Sequence, residues 1–147
     1  MPSPIEFNSI DHITLIVADL DKTRDFYCDR LGMQEVPRPD FDFPGLWLTP
    51  SSQALDQAGF MRALIHITLA DEASGLAGWG DRQVGRLSRG HHFAFEVVDA
   101  IAACNHLQQL GVTICAPPRQ RPDRAAQFCV QDPDGHVIEI FSPPVNR

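Results

Sequence analysis

The feature that most restricts this chain is that its two halves repeat. His12 and His92 lie 80 residues apart, as do Asp19 and Asp99, while Gly32 and Gly111 are separated by 79. The offset holds over a strand run, the acidic residue ahead of a helix and the glycine that stops it, which marks an internal duplication. Each half reads β-α-β-β-β. The expected fold is therefore α+β: two βαβββ modules, eight strands and two principal helices, with a central cleft. The modules are expected over 8–70 and 90–143, within one domain joined by a Gly-rich linker, 71–89.

In the first half, Ile10–Val17 is a strand run whose alternation sets Ile13, Leu15 and Val17 against His12, Thr14 and Ile16. Asp19 and Asp21 offer N-caps for a helix over Lys22–Leu31, and Gly32 suits its C′ position. Strands follow at Met33–Val36, Leu46–Thr49 and Arg62–Leu69. The second half repeats this with a strand in 90–99, a helix over Ala100–Leu110 and strands at Val112–Ala116, Ala125–Gln131 and His136–Phe141.

Composition narrows the function classes. A net charge of −7 without a Lys/Arg cluster argues against nucleic acid or an anionic membrane surface as partner. No apolar run approaches the ~20 residues a membrane helix needs, and the N-terminus lacks the pattern of a signal peptide. Cys28, Cys104, Cys115 and Cys129 are widely spaced, without Cys-x-x-Cys, as expected of buried thiols in a reducing cytoplasm.

The chemistry is concentrated in polar residues set into apolar strands. Gly135-His136-Val137-Ile138-Glu139-Ile140-Phe141 holds a carboxylate that is costly to bury without a cationic partner. Superposing the halves pairs His12 with His92 in the first strands, and His66 with Glu139 in the last. Imidazole and carboxylate are ordinary ligands of Zn, Ni, Mn, Co or Fe, so His12, His66, His92 and Glu139 form one candidate divalent-metal site. Two facing sheets would bring all four into one cleft. His91, His106 and His136 are expected to play no part. Phe41 and Phe43 in the turn-rich segment 38–45, with Trp47 beyond it, are candidates for an apolar wall beside the metal.

These residues resemble the vicinal-oxygen-chelate superfamily, also known as the glyoxalase/bleomycin-resistance/dioxygenase superfamily. The carriers are Asp11-His12-Ile13-Thr14-Leu15, Phe26-Tyr27, Leu31-Gly32-Met33, His92-Phe93-Ala94-Phe95, and Asp132-Pro133-Asp134-Gly135 leading to Ile138-Glu139. The resemblance spans Ile10 to Ser142. It implies paired modules forming a U-shaped sheet around one divalent metal, a substrate chelated through neighbouring oxygens, and a homodimer.

The resemblance implies a metal-dependent enzyme. Its first expectation is glyoxalase-like lyase or isomerase chemistry on a small oxygenated substrate, with Glu139 or His66 moving a proton and Thr14, Phe41, Phe43 and Trp47 lining the pocket. Lactoylglutathione lyases typically carry a carboxylate where His66 stands. Extradiol dioxygenases, the Fe(II)-dependent alternative, carry a histidine and a tyrosine ahead of the Asp-Pro-x-Gly turn, where this chain has Phe128-Cys129. Fosfomycin-resistance transferases share the His-x-Thr start and need a cationic cluster, for which Arg119, Arg121 and Arg124 are available. Methylmalonyl-CoA epimerases often have an amide at the His66 position. A non-catalytic sequestering protein, as bleomycin-binding relatives are, is the alternative outside the enzymes.

Overall fold

The computed structural model describes residues 1, 4–50, 63–78 and 89–144. The first module comprises β1 (Ile13–Val17), α1 (Leu20–Arg24) continuing as a π-helical segment (Asp25–Arg30), β2 (Met33–Val36), β3 (Gly45–Pro50) and β4 (Ile65–Leu69). The second comprises β5 (Phe93–Glu96), α2 (Ala100–Gln109), β6 (Ile114–Gln120), β7 (Ala126–Gln131) and β8 (Val137–Ser142). Their strand orders are β1-β4-β3-β2 and β5-β8-β7-β6. In each sheet the first pair is parallel and the others antiparallel. Among the described residues no helix is long and apolar enough to cross a membrane.

The repeat extends to caps and register. Asp19 and Asp99 are both extended N-caps whose carboxylates accept from helix backbone N–H groups. Gly32 and Gly111 end the helices at φ +76° and +74°, a conformation that costs other residues a Cβ clash. Thr14 pairs with His66 across β1 and β4, and Ala94, its counterpart, pairs with Glu139 across β5 and β8.

Several elements differ from expectation. β1 begins at Ile13 and β5 at Phe93, so His12 and His92 stand one residue ahead of their strands. The proposed start of β4 at Arg62 lies outside the described residues, as do 79–88 of the expected linker; β4 itself begins at Ile65. The first helix changes from α to π at Asp25, with Leu31 N–H donating to the Phe26 carbonyl. The wider turn brings neighbouring positions closer in azimuth, and the adjacent Phe26 and Tyr27 are both buried. β6 runs through Pro117 and Pro118, beyond the expected Ala116. It can do so as an edge strand whose register shifts around both prolines.

One apolar cluster serves both modules. Leu15, Val17, Ile65 and Ile67 of the first meet Cys104, Leu107, Val130, Ile138 and Ile140 of the second, with Phe26 and Tyr27 among them. The modules are also pinned by a buried polar centre. The Asp132 carboxylate accepts from Tyr27 Oη at 2.8 Å, from His136 Nδ1 at 2.7 Å and from the backbone N–H of Asp134 and His136 at 2.9 Å each. His136, expected to play no part in the metal site, is thus fully buried and holds the Asp-Pro-Asp-Gly turn. Four donors on one carboxylate offset its burial.

Candidate metal centre

The positions that alternate with the core residues point to the other face of each sheet. In the first module His66 lies between two neighbours on that face. Its ring stacks on His12 at 3.7 Å between centroids and 14° between planes, and on Trp47 at 4.4 Å and 12°. The Trp47 contact follows from register, since Trp47 is the cross-strand partner of His66. Phe41 continues the row 6.3 Å from Trp47, and Phe43 stacks on Phe41 at 5.2 Å. The Arg38 guanidinium lies 4.8 Å from both phenylalanine centroids and donates to the Phe43 carbonyl. None of these three aromatic residues belongs to the apolar core cluster, and Phe41 is exposed.

In the second module His92 Nε2 lies 3.6 Å from Glu139 Oε2. That is long for a hydrogen bond. It is close to the ~3.4 Å expected between two ligands bound ~2.1 Å from one tetrahedral ion. Glu139 is buried, and Arg121 Nη1 stands 3.8 Å from its Oε1.

Each histidine that begins a module is oriented through Nδ1. Asp11 Oδ2 holds His12 Nδ1 at 2.7 Å, and the Gly90 carbonyl holds His92 Nδ1 at 2.9 Å. The Nε2 atom is thereby the one available for coordination, an arrangement common behind metal-bound imidazoles. Burial, and then the neighbouring His12, lower the His66 pKa below its usual value, which favours the neutral ring that a ligand or base requires. Burial, then Cys115 and Glu139, push the Cys129 thiol up to about 11, so it remains a protonated, poor ligand at neutral pH.

The four candidate ligands do not meet in one cleft of one chain. Among the described residues no three His, Cys, Asp or Glu side chains lie close enough to hold an ion together. Instead there are two half-sites, His12 with His66 and His92 with Glu139. The core explains the separation: each sheet commits one face to the common apolar cluster and bears its ligands on the other. Thr14, a candidate substrate contact, is exposed on the face of His66. Asp11 and Gly90 were not among the expected site residues, and Arg121 was expected only as one of three arginines of a cationic cluster, not as the neighbour of Glu139. The Asp11-His12 dipeptide was a readable signal for the first, whereas Arg121 reaches Glu139 only through the folding of a hairpin.

The family model of the "Glyoxalase/Bleomycin resistance protein/Dioxygenase superfamily" matches residues 9–140. The chain belongs to this superfamily. Over 132 residues it is 28% identical to the lactoylglutathione lyase of Neisseria meningitidis serogroup A, covering 88% of this chain and 87% of that one. In structure it is similar to a glyoxalase family protein from Bacillus anthracis, with a TM-score of 0.67 and 23% identity over 96% of this chain and 99% of that one. It is also similar to the genomically encoded fosfomycin resistance protein of Listeria monocytogenes, with a TM-score of 0.65 and 22% identity over 95% and 97% of the two chains. The candidate donors, three imidazoles and one carboxylate, are of the kinds that suit a borderline divalent transition metal.

Proposed function

We propose that this chain is a divalent-metal-dependent enzyme with glyoxalase-like lyase or isomerase activity on a small oxygenated substrate. The observation that carries this reading is the pairing of His12 with His66 and His92 with Glu139, with Nδ1 of both leading histidines held away from the ligand position. Likeness to a lactoylglutathione lyase supports the reaction class. A Zn, Ni, Mn, Co or Fe ion held by these four residues would supply Lewis-acid stabilisation of charge on the substrate oxygens.

A second copy of the chain brings the half-sites together. β1 and β5 are edge strands, and the ligands sit at or beside them. A two-fold arrangement laying β1 of one copy along β5 of the other uses both edges and makes two equivalent four-ligand sites. The chain's own groups then divide the work. Glu139 or the neutral His66 takes a proton from carbon beside a carbonyl and returns it to the neighbouring carbon. Thr14 offers a hydroxyl on the same face, and Trp47, Phe41 and Phe43 provide an apolar wall that excludes water.

The reaction class is tested by incubating the Zn- or Ni-loaded protein with a small α-hydroxyketone in D₂O. NMR should show exchange of the hydrogen beside the carbonyl, lost in Glu139→Gln. Oxygen uptake with a catechol after anaerobic Fe(II) loading, without such exchange, would assign ring cleavage instead.

A further inference from the structure

We infer that Arg121 is the specificity-determining residue that selects a substrate carrying a negative charge beside its chelating oxygens; the inference rests on the metal site proposed above. Arg121 opens the β6–β7 turn, where its N–H donates to the Ala125 carbonyl at 2.7 Å and its carbonyl accepts from Arg124 N–H at 2.9 Å. Asp123 locks the side chain within this turn. One carboxylate oxygen accepts from Ala125 N–H at 3.1 Å and the other from Arg121 Nη2 at 2.5 Å. The guanidinium also lies 5.8 Å from the Phe141 ring centroid. Its position is therefore fixed by the chain before any ligand arrives, which removes much of the entropy cost of ordering an arginine.

Of the other two guanidinium nitrogens, Nη1 faces Glu139 from 3.8 Å, a charge pairing longer than a hydrogen bond. A divalent ion on Glu139 would take up that carboxylate's charge and leave Nη1 beside the ion. Three neutral imidazoles and one carboxylate leave a net positive centre around a dication, and Arg121, though its charge is balanced by Asp123, presents Nη1 as a donor beside that centre. A carboxylate next to the coordinating oxygen complements both, and the guanidinium fork matches carboxylate geometry. With the aromatic row beside His66 across the same centre, the substrate class is a planar or aryl compound bearing an α-oxygen and a carboxylate.

The test uses Co²⁺-loaded full-length protein, with mandelate and its uncharged isostere mandelamide as probes followed by the Co²⁺ absorption spectrum. Wild type should bind mandelate more tightly, and Arg121→Gln should lower that affinity roughly 10- to 100-fold, the range for a charge-assisted hydrogen bond. Mandelamide affinity should stay within about twofold, and Arg121→Lys should recover part of the loss. Asp123→Asn, which leaves the cation but removes its brace, should show a smaller loss confined to mandelate. Equal affinity of wild type for the two probes, or equal weakening of both in Arg121→Gln, would overturn the role of Arg121 while leaving the metal site standing. Absence of any Co²⁺ spectrum in wild type would reject the metal site and this inference with it.

Discussion

The polar centre around Asp132 shows how single residues decide this architecture. Tyr27 and Asp132 are 105 residues apart, yet their contact joins the modules and fixes the turn that leads to Glu139. Burial, then the Asp132 charge, raise the Tyr27 pKa well above the ordinary value of 10.0. The sign follows directly: an unfolded tyrosine ionises near pH 10 while the folded one keeps its proton. Its contribution is complete below pH 10 and is lost as pH rises toward the folded value. Tyr27 is the only tyrosine, so the absorbance change of tyrosinate formation reports it alone. Tyrosinate should appear together with unfolding, above pH 10; ionisation at pH 10 with the fold intact would contradict the network. Tyr27→Phe should cost about 1.5–3 kcal/mol in denaturant unfolding. The four candidate ligands were legible in the sequence because each is a polar residue within or directly before an apolar strand run. The Tyr27–Asp132–His136 set was not, because its members are ordinary residues of a helix and a turn that only packing brings together.

Among the elements, β3 and the loop before it carry the testable consequence. Phe41, Phe43 and Trp47 stood out because large rings are unusual in a turn-rich segment. Their continuation into the His66–His12 stack depends on the β3–β4 register, which periodicity does not reveal. The π-helical segment and the passage of β6 through two prolines were likewise unreadable, since both follow from packing at one place rather than from local propensity. Phe43 contacts Phe41 and Arg38 rather than the core cluster. Phe43→Ala should therefore cost about 1–2 kcal/mol, the worth of one stacked and one cation–π contact. It should also weaken mandelate binding to the Co²⁺-loaded protein. A loss of about 3–5 kcal/mol, typical of core truncation, with unchanged mandelate binding would reassign the ring to structural packing.

Across the two modules the duplication was legible almost throughout: caps, stops, the β-α-β-β-β element order and the paired ligand positions all repeat. The meeting place of the ligands was not, because periodicity assigns residues to faces but does not say which faces of two modules meet. Here the shared apolar cluster joins the modules on one side and leaves two half-sites on the other. In the proposed assembly, two copies of this chain enclose divalent metal ions between His12 and His66 of one and His92 and Glu139 of the other. Size-exclusion chromatography with inline elemental detection tests it most directly, on native protein purified without a nickel column and then titrated with Zn, Ni, Mn, Co and Fe(II). Transition metal should elute with the dimer at close to one ion per chain; a metal-free protein, or metal bound by a monomer, would rule out the shared site.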